Sequence, residues 1–288
     1  MATTTSTYLS ISNNLSRYQT MVADQPMVKT ASEYYAANIG KVTSIKEFVG
    51  NYRLLSYALD AYGLGDQVNS TALVTQVLEG GVSSPKALAN TLSNPNWAKF
   101  AAAFNFAADG AASISTASAI KTTTSAFVEQ KLESDEGAQD PGVQLALYFQ
   151  RVAPSESGGL QIMGDVNLLD VVQTIFGLPP ETAGVNIDAQ ASVISRLAPQ
   201  SQLQNPKDLQ QLTERFTAMY DLDYGAGGVD ASTPLTISND GNTSTTTPAA
   251  TTILGGVISG NSSYSGDAMA SYFSNTLLAS LQNLTLGG

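Results

Sequence analysis

From Tyr52 to Leu64 the chain reads YRLLSYALDAYGL. Leu55, Ala58, Leu59 and Tyr62 recur three or four residues apart, which puts them on one face of a helix. Gly63 stops that helix, because glycine takes the left-handed conformation that commonly closes one. The pattern returns downstream: Arg53-Leu54-Leu55 with Tyr62-Gly63-Leu64 is echoed by Asn167-Leu168-Leu169 with Phe176-Gly177-Leu178, each pair offset by 114 residues. Two further echoes follow in the same order. Ser84-Pro85-Lys86 with Leu88 matches Asn205-Pro206-Lys207 with Leu209 at an offset of 121, and Lys99-Phe100 with Phe104 matches Arg215-Phe216 with Tyr220 at 116. Three echoes in one order indicate internal duplication. The expected fold is all-α, a duplicated helical bundle with a Gly/Ser/Thr-rich C-terminal segment and terminal amphipathic helices.

Working outward, Tyr8, Ile11, Leu15, Tyr18 and Val22 form one helical stripe, and Pro26 ends it or begins the next element. Helices are expected over Ala31–Ile39 with Gly40 as cap, from the capping box Ser44-Ile45-Lys46-Glu47, and over Ser70–Glu79, Pro85–Leu92 and Asn96–Phe106. A longer Ala/Ser/Thr-rich helix covers Ala111–Ser134. The acidic stretch from Glu133 to Pro141 reads as an exposed turn, since Glu133, Asp135, Glu136 and Asp140 do not have the spacing of an EF-hand loop. Gly225–Ser265 reads as a linker in which Leu235–Ser238 and Thr251–Ile258 pair as short strands. In Ser265–Leu284, Met269, Tyr272, Phe273, Leu277, Leu281 and Leu284 share one side, with Asp267 near the start. The expected organisation is an N-terminal helical segment (1–30), repeat 1 (31–134), repeat 2 (135–224), a linker (225–264) and a C-terminal amphipathic helix (265–288).

Only 13% of the residues are charged, while 43% are apolar. A surface solvated by small uncharged side chains suits repeated packing against other protein. The net charge of −11 argues against a nucleic-acid partner, and no apolar run is long enough for membrane insertion. The first residues lack the basic start and apolar core of a cleaved signal peptide. Cysteine and histidine are both absent. That removes disulfides, thiolate chemistry, His-ligated metals and the triads that need a His base.

What chemistry remains is weakly signalled. Lys41, Lys86 and Lys207 lie near Ser or Thr residues, yet solvent exposure accounts for each. The run Gly225-Ala226-Gly227-Gly228 lacks the preceding strand of a phosphate loop. Tyr34, Tyr35, Tyr62, Trp97, Phe100 and Phe104 sit in helical patterns and read as core rather than as a ligand cage. No catalytic, metal or cofactor-binding residue is assigned, and the chain reads as a protein that is not an enzyme.

Two blocks, Glu33–Phe106 and Gln139–Phe216, resemble the bacterial family called domain of unknown function 1217. The first carries the likeness in Asn38-Ile39-Gly40-Lys41-Val42-Thr43, Arg53-Leu54-Leu55, Ala61-Tyr62-Gly63-Leu64 and Asn90-Thr91-Leu92-Ser93. The second carries it in Ala146-Leu147-Tyr148-Phe149 and Phe176-Gly177-Leu178-Pro179. The resemblance implies a helical protein encoded among flagellar genes, with no catalytic residue to carry over. Rod, hook and filament proteins are similar in their paired terminal helices, low charge, lack of cysteine and export without a cleaved signal. The middle of this chain has no flagellin-like or hook-like motif. The expected role is a structural or assembly component of the flagellum, in its extracellular or periplasmic part, whose terminal helices bind flagellar proteins or copies of itself. The alternative is a cytoplasmic adaptor or regulator of flagellar assembly.

Overall fold

Seventeen α-helices and no strand make up the described residues, 2–178 and 186–224, of the computed structural model. The expected linker, its strands and the C-terminal amphipathic helix lie outside the described residues. The N-terminal stripe is split at Asn13 and Asn14 into α1 (Thr4–Ser12) and α2 (Leu15–Ala23). Next, α3 (Pro26–Asn38) starts on its proline, where the missing N–H costs nothing. A single 3-10 turn (Ile39–Lys41) leads to α4 (Ile45–Gly50), which Ser44 caps by accepting from the Glu47 amide. Then come α5 (Tyr52–Ala61) and α6 (Thr71–Gly80).

The first half continues with three short helices, α7 (Leu88–Thr91), α8 (Asn96–Phe104) and α9 (Phe106–Asp109), the last two carrying Trp97, Phe100, Phe104 and Phe106. The expected helix over Ala111–Ser134 is broken at Thr116 into α10 (Ala112–Ser115) and α11 (Ala117–Gly137). Thr116 interrupts because its hydroxyl accepts from the Ala119 amide at 3.1 Å, capping the longer helix. The second half comprises α12 (Pro141–Val152), a 3-10 turn (Ala153–Ser155), α13 (Gly159–Gly164), α14 (Val166–Phe176), α15 (Ile187–Leu197), α16 (Gln200–Leu203) and α17 (Pro206–Tyr224).

The echo at 114 residues holds in atomic detail. Asn51 caps α5 by accepting from Leu54 N at 3.2 Å; Asp165 caps α14 by accepting from Asn167 N and Leu168 N at 3.0 and 3.1 Å. At the other ends Gly63 and Gly177 sit at φ +68° and +61°. Beyond them Leu64 N donates to Leu59 O at 2.8 Å and Leu178 N to Gln173 O at 2.9 Å, satisfying carbonyls the helix leaves open. The 3-10 turns Ile39–Lys41 and Ala153–Ser155 stand at the same offset. The order α3–α4–α5–α6 thus recurs as α12–α13–α14–α15.

The other two echoes do not survive. Pro85 lies in the turn before α7, whereas Pro206 opens the long α17, so the two prolines occupy different places. The counterpart of α17 is α11, not the Phe100 helix. Each packs on the Gly-capped helix and the Pro-started helix of its own half, and each follows a four-residue helix set beside the 3-10 turn. Thr116 and Asn205 cap them, Asn205 Oδ1 accepting from Lys207 N at 3.0 Å. Eleven residues past each cap lies a buried phenylalanine, Phe127 or Phe216. Helices α7–α9 are therefore an addition to the first half.

That addition explains how α4 and α13 differ. Phe104 and Phe106 pack their rings 5.1 and 5.8 Å from Phe48 of α4, between α4, α6 and the added helices. The second half has no such wedge. Gly159 replaces Ile45, and α13 meets α15 so closely that a Cβ on Gly159 would come within 2.0 Å of the Ala191 carbonyl oxygen. Gly159 N donates to Ser195 Oγ at 2.8 Å, locking the contact.

One continuous core joins the halves. Helix α11 is its hinge-post, touching α2, α3 and α5 on one side and α12 on the other. The N-terminal stripe is covered from within the molecule: α1 crosses to the second half and packs on α12 and α17, with Tyr8 and Ile11 buried. Burying two such side chains contributes about 1.5–3 kcal/mol each. Asp221 closes the seam, accepting from Thr4 N, Thr5 N and Thr5 Oγ1 at 2.7, 3.0 and 2.7 Å, while Thr4 Oγ1 donates to Asp140 at 2.8 Å.

Candidate protein-binding groove

The acidic stretch at the end of α11 is not an exposed turn. Glu133 and Asp140 are buried, at 5% and 7% exposure, because Glu133 has a distant partner in Arg151 and Asp140 has one in Thr4 besides the helix start it caps. Arg151 of α12 grips Glu133 with Nε on Oε1 at 2.6 Å and Nη2 on Oε2 at 2.9 Å. Although burial disfavours the charge, the Glu133 carboxylate holds the Arg151 pKa above its usual value. Asp140 caps α12 through the Gly142 and Val143 amides. Among the described residues no group of three acidic side chains is placed to hold a metal ion.

Above that ion pair lies a groove of about 270 Å³ between α2, α11 and α12. Leu15, Leu132 and Leu147 form its apolar walls, and Gln19, Glu129 and Gln150 stand around it. Gln19 Nε2 reaches Glu129 at 3.3 Å. Burial pushes the Glu129 carboxyl above its ordinary value; Arg151 opposes the shift and Glu133 adds to it. The neighbouring Tyr148 hydroxyl donates to Asp165, the cap of α14, and burial drives its pKa well up. These groups orient helices. None pairs an activated nucleophile with a base, since every strongly held carboxylate here is a cap or an ion-pair partner.

The other residues singled out above are structural or solvated. Lys41 is exposed and donates to Asn38 Oδ1 at 3.0 Å, and Lys86 and Lys207 are exposed. Tyr35, Trp97, Phe100 and Phe104 are buried, and Tyr62 lies edge-on to Phe100 and Phe104. Tyr34 is half-buried under the Arg53 guanidinium, 3.8 Å above its ring. Gly225-Ala226-Gly227-Gly228 lies outside the described residues. No described helix is long and apolar enough to cross a membrane. The groove itself was missed from the sequence, because three helices distant along the chain build it.

Fold and groove together define a helical bundle with a small, partly apolar groove above a paired set of polar groups. The family described as protein of unknown function (DUF1217) matches residues 61–209, and the chain belongs to that family. It is similar to protein AGR_C_984 from Agrobacterium tumefaciens, known from an X-ray crystal structure. The two are 36% identical with a TM-score of 0.70, over 75% of this chain and 92% of that one. No curated protein matches the chain.

Proposed function

We propose that this protein is a structural or assembly component of the bacterial flagellum, and that it works by holding other protein chains rather than by catalysis. The groove on α2, α11 and α12 carries the protein-binding part of this reading. Its walls are apolar, its floor is a self-satisfied ion pair, and the protein as a whole is poor in charge. The flagellar placement rests on the family resemblance. With α1 seated in the protein's own core, the groove is the surface we assign to a partner.

Fractionation of cells tests the placement: the intact chain should accumulate with flagellar or periplasmic material. Accumulation in the cytoplasm with an assembly defect on deletion would favour the adaptor role instead. A chain ending at Tyr224 should keep its melting temperature and lose incorporation into the flagellum. Unfolding of that truncated chain would make residues 225–288 part of the core, and normal motility would remove them from assembly.

A further inference from the structure

The charges lining the groove do not balance. Arg151 is paired with Glu133 in a two-point grip, so its charge is already largely matched there. Lys131 turns away from the groove, its Nζ 5.7 Å from the Phe127 ring and its charge near Asp60. Glu129 is left on a half-buried wall with only the long contact from Gln19. Arg151, the cation nearest Glu129, is already paired with Glu133, so the charge of Glu129 on its half-buried wall is met only in part, and a positive group arriving there would meet the rest.

From this geometry we propose that the groove is a docking pocket for one Lys or Arg side chain of a partner protein, its aliphatic stem laid on Leu15, Leu132 and Leu147 and its charge set against Glu129. This rests on the protein-binding reading above and names the partner's chemistry. The volume fits: about 270 Å³ equals roughly nine waters at about 30 Å³ each, which is room for one long side chain and a few bridging waters. Lys and Arg have the shape required, an apolar stem ending in charge. The occupant is not the chain's own C-terminal segment, which has no Lys or Arg after Arg215. An anionic lipid or nucleic acid would meet Glu129 with like charge.

The full chain, with its leucine methyls labelled, is titrated with N-acetyl-arginine amide and with the uncharged isostere N-acetyl-citrulline amide, followed by NMR. Methyl signals of Leu15, Leu132 and Leu147 should shift with the arginine probe. The citrulline probe should bind about tenfold or more weakly, because it lacks the positive charge that Glu129 would meet. Glu129→Gln should abolish the difference between probes while leaving the fold intact by circular dichroism, because Glu129 holds no described salt bridge. Equal binding of both probes, no methyl shift, or an unchanged preference in Glu129→Gln would each overturn the proposal. In cells, Glu129→Lys should block incorporation by filling the groove with its own cation. If it incorporates normally, the pocket is not the contact and the assembly reading stands without it. If the wild-type chain never incorporates, that broader reading fails even where the probe binds.

Discussion

Gly177 is held at φ +61° with nothing within 4 Å of where a Cβ would stand, so the cost of alanine there is backbone conformation alone. Gly177→Ala should lower stability by about 1 kcal/mol in urea unfolding. Gly63→Ala should cost more, because its Cβ would also press Asn96 Nδ2 at 3.1 Å. This pair was fully legible in the sequence, since only glycine fills such a position cheaply. Asp221 was not legible, for its partners are Thr4 and Thr5 at the other end of the chain. Partial burial pushes its carboxyl up, but the hydrogen bonds from Thr5 and Thr4 outweigh that and hold it below its ordinary value. A depressed carboxyl stabilises above its unfolded pKa, and that contribution fades as pH falls through the lower folded value. The protection of the α1 amides against exchange, relative to their intrinsic rates, should therefore fall below about pH 4, the ordinary carboxylate range, and Asp221→Asn should show lowered protection at neutral pH already.

At the scale of elements, the two halves differ where sequence reading went astray. Ser-Pro-Lys against Asn-Pro-Lys, and Lys-Phe against Arg-Phe, match by residue type, yet they mark unlike elements. The real correspondence of α11 with α17 joins a threonine cap to an asparagine cap and a buried Phe127 to a buried Phe216. What repeats there is a physical role, which residue matching does not detect. Likewise the acidic stretch reads as solvated because Arg151 lies eighteen residues on, across a helix turn-round. Two substitutions test these assignments. Gly159→Ile gives α13 the residue that α4 carries, but without the aromatic wedge it must force α13 off α15, at a cost of about 1–3 kcal/mol or more by thermal unfolding. Arg151→Leu leaves Glu133 buried and unpaired and should cost about 3–5 kcal/mol; adding Glu133→Leu should restore most of it.

For the whole molecule, the all-helical architecture was read correctly because the 3.6-residue period and the caps act locally. The continuity of the core was not, because it depends on α11 serving both halves and on α1 crossing between them. A core shared in this way predicts that far- and near-ultraviolet circular dichroism report one coincident thermal transition rather than two. That crossing also sets an order in time. The hydrogen-bond partners of Thr4 lie 136 and 217 residues further along the chain. On a ribosome adding about 5–20 residues per second, the seat for α1 is complete only many seconds after α1 emerges. Until then Tyr8 and Ile11 stay in water, so the first segment made is among the last to settle, and a chaperone has that interval in which to hold it.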